Sequence, residues 1–331
     1  MQKPVYRIFT ILFLIFLNYS PAFSQFENYK QVVELSKKRK VTEKVVDSIL
    51  KTYTNRGKSY ANIAHSFSFF FYRIKRNYDL AIKYGIIEKN TFENLRLNNK
   101  EYNNILYNLG KYHFLKFQYT KAINYFEQAI KSNQFPKKVA QSYCQLGRCY
   151  RALGDYYKSL NHYSLGLPLL LKVGSKQSYI AHSRLLAATC NKLNTKESVK
   201  LGLFYLEKAD SIAGTLTNRK AYNQLFYEIN TTFANLYALK HQYNFEKAKH
   251  FYKKNIALAN KEKNHKELAL NFLNLGELYL NKNKDSALAF LHKSLFFDRK
   301  NLFKFETCKN LARFYSRKKQ YQKAIDLYTT A

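Results

Sequence analysis

Glycine, proline, cysteine and tryptophan are scarce in this chain of 331 residues, which has 10 Gly, 4 Pro, 4 Cys and no Trp. After the first 24 residues only Pro136 and Pro168 remain. β-Sandwiches and barrels need many turn residues, so this shortage favours a mainly helical chain. Apolar residues make up 46% of the sequence, which is enough for one or two domains with substantial cores.

The few cysteines exclude a disulfide-stapled scaffold, and their spacing fits no zinc motif. Cys144 and Cys149 fall in one predicted helix, about 140° apart around its axis, so they cannot face each other. We expect all four to be small buried apolar residues, with one bridge between neighbouring helices as the alternative. The four are Cys144, Cys149, Cys190 and Cys308.

Acidic residues are also scarce, with 22 Asp and Glu against 56 Lys and Arg and a formal net charge of +34. Such an excess of positive charge suits a polyanionic partner. However, the basic residues are 43 Lys and only 13 Arg, and phosphate recognition prefers Arg. Lysine is spread along the whole chain beside abundant Asn, Tyr, Phe and Ile, all encoded by AT-rich codons. Compositional bias and a basic binding face therefore both remain open.

The first 24 residues have the form of a secretory signal peptide. A basic start precedes an apolar run over residues 8–17, and small residues stand at Ala22 and Ser24. We expect cleavage before Gln25 and export to the periplasm or cell envelope, with an uncleaved anchor as the alternative. The apolar run is short for a membrane span. Export argues against a nucleic-acid partner, and it leaves membrane attachment only to the signal peptide or to a segment beyond Ala331.

Residues 25–60 are predicted to form an N-terminal helical pair. Apolar residues recur with a helical period between Tyr29 and Tyr53. The basic cluster over residues 37–40 is most simply a solvated turn between the two helices, and a polyanion site is the alternative.

A short pattern, Leu-Gly-x-x-aromatic, recurs along the rest of the chain and begins at Leu109, Leu146 and Leu275. Twelve residues after the glycine of the first copy, an A-x3-F-x2-A pattern begins at Ala122, and Pro136 follows it. This combination resembles the tetratricopeptide repeat, in which two antiparallel helices form one unit.

The resemblance extends over residues 61–331 as about seven copies, five clear and two degenerate. It implies an all-α fold, a right-handed superhelical α-solenoid of antiparallel helix pairs. The last copy stops at Ala331 within its second helix, which leaves open an exposed last hairpin or a chain that continues. The residues at the glycine position of the first helix are numbered 69, 110, 147, 187, 234, 276 and 312.

Small residues in the repeats are expected to let paired helices approach closely, as at Gly110, Gly276 and Ala122. His113 stands at the aromatic position of its copy, so we expect it to pack in the core rather than to bind a metal.

Catalytic motifs are nearly absent from the sequence. Gly57-Lys58-Ser59 is the only partial match to a phosphate-binding loop. Thr52 stands where the first glycine of that motif should be, and a predicted helix precedes the tripeptide where the motif needs a strand. The eight histidines include no H-E-x-x-H pair, and no G-x-S-x-G motif occurs. We therefore predict no enzyme, no cofactor and no metal site.

The resemblance places ligand binding on the concave face formed by the first helices of the repeats. Its side chains would mix guanidinium groups, amines, amides and aromatic surface, which suits acidic or carboxylate-ended ligands. A strongly basic protein also shows basic residues on every face, so this assignment has a plain alternative. The Lys and Asn clamp by which some family members hold chaperone tails is not present. The candidate residues are Tyr107, Asn108, Lys111, Arg148, Arg151, Arg184, Asn191, Lys192, Asn235, Arg313 and Arg317.

Three functional hypotheses follow. The leading one is an exported, non-enzymatic scaffold that binds a protein or peptide. The second, from the resemblance alone, is the sensory input region of a membrane-bound histidine kinase or DNA-binding regulator. The third is a basic envelope protein that binds polyanions, which steep salt dependence would distinguish.

Overall fold

A computed structural model describes Glu34 and residues 41–53, 57–216, 223–240, 243–280 and 282–330. Over these ranges the chain forms fifteen α-helices, one π-helical turn and no strand. The predicted all-α class is confirmed. The predicted signal peptide, the first helix of the N-terminal pair apart from Glu34, and the basic cluster over residues 37–40 lie outside the described residues.

The first compact unit ends at Leu153. Consecutive helices of this unit pack against each other, and α4 also contacts α6. A π-helical turn, Phe71–Lys75, continues α2. The helices are α1 (Glu43–Lys51), α2 (Lys58–Phe70), α3 (Tyr78–Asn94), α4 (Lys100–Leu115), α5 (Tyr119–Ser132) and α6 (Pro136–Ala152).

The second compact unit begins at Gly154. Consecutive helices again pack together, and the alternate helices α8, α10, α12 and α14 contact one another in turn. The helices are α7 (Tyr156–Lys172), α8 (Lys176–Leu193), α9 (Lys196–Gly214), α10 (Asn223–Ala238), α11 (Phe245–Glu262), α12 (His265–Tyr279), α13 (Lys284–Phe297), α14 (Lys304–Arg317) and α15 (Tyr321–Thr330).

Contacts between consecutive helices and between alternate helices define a helical-repeat solenoid, as predicted. The seven marker positions fall in α2, α4, α6, α8, α10, α12 and α14, so each predicted first helix exists. The first helices of successive repeats contact each other within each unit, α4 with α6 in the first and α8, α10, α12 and α14 in turn in the second. The handedness of the predicted superhelix stays a prediction.

Asparagine side chains set the start of many helices. An N-cap side-chain oxygen that accepts a backbone N–H satisfies a donor which the helix itself leaves free. Five helices begin in this way, so the abundance of Asn has a structural use that composition alone did not indicate. The caps are Asn77 of α3, Asn99 of α4, Asn244 of α11, Asn264 of α12 and Asn283 of α13.

The paired helices approach closely where the repeats carry glycine. A Cβ atom on Gly110 would lie 2.7 Å from the Cε1 atom of Phe126. A Cβ atom on Gly276 would lie 2.6 Å from the side chain of Leu291. Both distances are shorter than ordinary carbon contacts, so the predicted close approach is confirmed in both units.

The remaining core predictions are also confirmed. All four cysteines are buried and free. His113 is buried, its ring stacks on Tyr125 with centroids 5.3 Å apart, and its Nδ1 lies 2.6 Å from Oε1 of Gln118.

Within the described ranges, no helix combines the length and the apolar character that a membrane span needs.

Candidate binding surface

Three of the predicted binding residues lie on the adjacent first helices α4 and α6 of the first unit. The Nζ atom of Lys111 lies 4.4 Å from the centre of the Tyr72 ring. The guanidinium carbon of Arg148 lies 4.5 Å from the centre of the Phe114 ring. Lys111 and Arg148 directly follow the glycine of two successive repeats, Gly110 and Gly147. Each cation lies over a ring from the first helix of the preceding repeat or its continuation. Such cation–π contacts fix the position of a charge without neutralising it.

A hydrogen-bonded chain joins the third predicted residue, Tyr107, to the same surface. Its hydroxyl oxygen accepts a hydrogen bond from Nε2 of Gln145 at 3.3 Å. The Oε1 atom of Gln145 accepts one from Arg148 at 2.9 Å. The Nζ atom of Lys138 lies 4.1 Å from the centre of the Tyr107 ring. We call these residues together the cation–aromatic cluster: Tyr72, Tyr107, Lys111, Phe114, Lys138, Gln145 and Arg148.

The positive charges of this cluster are not balanced by acidic residues. Burial, together with the nearby charges of Lys111 and Lys137, lowers the pKa of Lys138 to about 8. Among the described residues, no carboxylate lies within ion-pair distance of Lys111, Lys138 or Arg148. A half-buried cation without an acidic partner is a candidate for binding a negatively charged group.

Two further predicted residues of the first unit lie on the same helices. Asn108 is half-buried on α4, next to Tyr107. Arg151 is half-buried on α6, one turn beyond Arg148, and its Nε atom has no hydrogen-bond partner among the described residues. Both extend the polar surface along α4 and α6.

In the second unit, two predicted residues take part in interactions between helices. The Nε atom of Arg184 on α8 lies 2.7 Å from Oε2 of Glu228 on α10, so its charge is paired. The Oδ1 atom of Asn235 accepts a hydrogen bond from the Tyr252 hydroxyl at 2.6 Å. The spacing of the repeats placed these residues on first helices, but it could not identify their partners on other helices.

The other predicted residues of the second unit are separate from these. Asn191 is half-buried and Lys192 is exposed near the end of α8. Arg313 and Arg317 are exposed on α14, beside a shallow depression of about 390 Å³ against α15. The other residues that line this depression are Ser316, Tyr321, Ala324, Ile325 and Tyr328.

The sequence patterns did not identify Lys138 or Gln145 as part of this surface. They also did not identify the rings of Tyr72 and Phe114, which lie under Lys111 and Arg148. Lys138 precedes the first position of its repeat, so the repeat frame did not include it. A helical wheel could have found it, because Lys138 and Gln145 are seven residues apart and share one face of α6.

Chemically reactive arrangements are few in the described part of the chain. It holds no group of three or more His, Cys, Asp or Glu side chains that could bind a metal ion. Gly57 is the N-cap of α2, and the described element before it is the helix α1. A phosphate-binding loop would instead follow a β-strand. The Nδ1 atom of His65 lies 3.0 Å from Oε1 of Glu88, and burial raises the pKa of Glu88. This pair joins α2 to α3 within one helical hairpin.

Three segments of the chain match sequence models of the tetratricopeptide repeat. They span residues 104–134, 140–167 and 307–331. The first covers most of α4 and all of α5, and it includes Tyr107 and Lys111. No curated protein matches the chain.

Several solved structures share the fold at low sequence identity. A tetratricopeptide repeat protein from Parabacteroides merdae is 12% identical with a TM-score of 0.59, over 82% of this chain and 91% of that one. A signal transduction ATPase with a tetratricopeptide repeat sensor from Pyrococcus horikoshii is 18% identical with a TM-score of 0.60, over 88% and 46%. A Rap protein complexed with Competence and Sporulation Factor is 16% identical with a TM-score of 0.51, over 91% and 82%. These likenesses show the fold.

Proposed function

We propose that this chain, which belongs to the tetratricopeptide-repeat superfamily, is a scaffold without catalytic activity that binds a protein or peptide partner. Stacked helical repeats offer an extended surface that suits this role. We place the binding on the first helices α4 and α6 of the first unit, at the cation–aromatic cluster. The similar Rap protein was solved with a bound factor, which supports ligand binding by such a fold.

One observation carries the choice of ligand. Cation–π contacts hold the charges of Lys111, Lys138 and Arg148 over aromatic rings. Among the described residues, no carboxylate forms an ion pair with these three side chains. A peptide segment with Asp or Glu side chains would supply the missing negative charge. The proposed partner is therefore an acidic peptide or an acidic segment of a protein.

A display library of random ten-residue peptides, selected on the purified protein, tests this proposal. We expect the selected peptides to be rich in Asp and Glu. Their affinity should fall at least tenfold in the double variant Lys111→Glu/Arg148→Glu. The matched control, Lys200→Glu/Lys253→Glu, changes net charge by the same amount at two exposed lysines on α9 and α11 and should bind as the parent does.

Two results would contradict the proposal. One is a selection that yields no peptide with higher affinity for the parent than for the reversed-charge variant. The other is an equal loss of affinity in both double variants, which would mean that net charge alone attracts the peptides.

A second candidate function is sensory input to a larger signalling protein. The similar protein from Pyrococcus horikoshii carries its repeats as a sensor, and this chain covers 46% of that protein. Sequencing the coding DNA past codon 331 tests this candidate. An open frame that reaches some twenty apolar residues within about a hundred codons would support it, and a stop codon at that point would count against it.

Export is part of the proposal and rests on the first 24 residues. We expect N-terminal sequencing of the protein from an envelope fraction to begin at Gln25. A chain that still begins near Met1 and is found with cytoplasmic markers would contradict export.

A further inference from the structure

The second unit exposes three large apolar side chains within ten residues of each other. The exposed fractions are 77% for Phe296, 55% for Leu302 and 59% for Phe305. Phe296 lies in the last turn of α13, Leu302 lies in the connection and Phe305 is in the first turn of α14. Because α13 and α14 are in contact, the three side chains lie at one end of this helix pair. We call Phe296, Leu302 and Phe305 the apolar tip.

The connection between α13 and α14 is held in place by hydrogen bonds and by partly buried rings that pack against the core. The two carboxylate oxygens of Asp298 accept the backbone N–H groups of Leu302 at 2.8 Å and Phe303 at 2.7 Å. The ring of Phe297 packs on Phe272 with centroids 5.6 Å apart. Phe297 and Phe303 therefore anchor the connection to the core, while the neighbouring apolar residues face outward. The exposed positions are built into the loop rather than produced by a frayed end.

Basic residues surround the apolar tip. Arg299 and Lys300 are exposed in the same connection. The two acidic residues nearby are occupied, since Asp298 is buried on backbone N–H groups and Glu306 forms an ion pair with Lys309 at 2.9 Å. The local charge is therefore positive.

The start of α12 adds two exposed lysines to the same end of the unit, and the exposed Glu262 offsets one of these charges. The ring of His265 stacks on Phe297 with centroids 5.8 Å apart, which brings the first residues of α12 beside the connection. Lys263 and Lys266, on either side of His265, are both exposed.

We propose that the apolar tip, with its basic surround, binds the surface of an anionic lipid bilayer. The three side chains project from the connected ends of two helices, a geometry that suits insertion between lipid headgroups better than capture of a peptide in a groove. Each Lys or Arg close to an anionic leaflet raises the partition coefficient about fivefold. Apolar insertion then distinguishes this surface from the other basic faces of the protein. The inference is independent of the peptide site proposed on α4 and α6.

A single introduced tryptophan tests the insertion directly, because the natural chain has none. In Leu302→Trp, we expect a blue shift of the emission on vesicles of phosphatidylcholine with 30% phosphatidylglycerol, and quenching when brominated lipid is included. Pure phosphatidylcholine vesicles should give little change. The control is Phe204→Trp, at a residue on α9 that is 59% exposed and lies apart from the tip, and it should give no shift.

Vesicle co-sedimentation adds a second readout that needs no probe at the tip. The variant Phe296→Ser/Leu302→Ser/Phe305→Ser should bind the anionic vesicles at least tenfold more weakly, while Phe204→Ser should bind as the parent does. Thermal melts by circular dichroism verify that both variants are folded. Equal binding by the triple variant and the parent would overturn the proposal, as would a parent that binds soluble polyglutamate but not the vesicles.

Discussion

Gly110 lies so close to Phe126 that one added methyl group would collide with the ring. The same relation holds between Gly276 and Leu291 in the second unit. At these positions glycine serves close packing of two helices, because a helix interior otherwise favours alanine by about 1 kcal/mol. Residue identity thus sets the distance between helices in a repeat.

The substitution Gly110→Ala should lower the free energy of unfolding by about 1 to 3 kcal/mol, because the Phe126 ring must move. The control Gly214→Ala, at the end of α9 with no atom within 4 Å of the added carbon, should leave stability unchanged or raise it slightly. Urea unfolding of both variants measures the difference. A Gly110→Ala protein as stable as the parent would show that this interface is loosely packed.

Lys138 gives a second prediction at the residue scale. Its pKa is lowered to about 8 in the folded chain, against about 10.4 in an unfolded one. The folded state therefore disfavours the charged form, and this cost is fully present below pH 8. As the pH rises through 8 toward 10.4, the folded chain releases the proton first and the cost disappears.

The variant Lys138→Met should accordingly be more stable than the parent at pH 7, by about 1 kcal/mol after allowance for the exposed part of the side chain. At pH 9.5 most of this advantage should be lost. Urea unfolding at the two pH values tests this, with the exposed Lys131→Met as the control. An advantage that does not change with pH would contradict a lowered pKa at Lys138.

At the scale of elements, helix starts depend on asparagine caps. The Oδ1 atom of Asn264 accepts the backbone N–H of Glu267 at 3.2 Å at the start of α12. Asn264→Ala should lower the free energy of unfolding by about 1 kcal/mol, since it leaves that donor without its partner. Asn260→Ala, at an exposed position within α11, should have little effect. Equal effects of the two substitutions in thermal melts would contradict the capping role.

Sequence patterns predicted the helical elements well, because the repeat couples small and large residues at fixed spacings within one hairpin. The contacts of the candidate binding residues were predicted only in part. Tyr107, Lys111 and Arg148 do come together, but Arg184 is paired with Glu228 on another first helix. A repeat frame fixes which face a residue occupies. It does not identify a partner 44 positions away in the chain.

Considered as a whole, the chain has two compact units, and one proposed binding surface lies on each. The first carries cations on aromatic rings with no acidic partner among the described residues, and the second carries the apolar tip beside exposed basic residues. The formal charge of +34 alone would not separate these surfaces. Their local geometry assigns an acidic peptide to one and an anionic bilayer to the other as proposed ligands.

Hydrogen–deuterium exchange with and without a selected acidic peptide tests the central claim most directly, because it locates the ligand without any substitution. Bound peptide should slow exchange over residues 100–115 and 136–152, which form α4 and α6, and should leave α12 to α15 unchanged. Slowed exchange confined to the second unit would contradict the assignment of the binding surface. So would saturating peptide that changes exchange nowhere in α4 or α6.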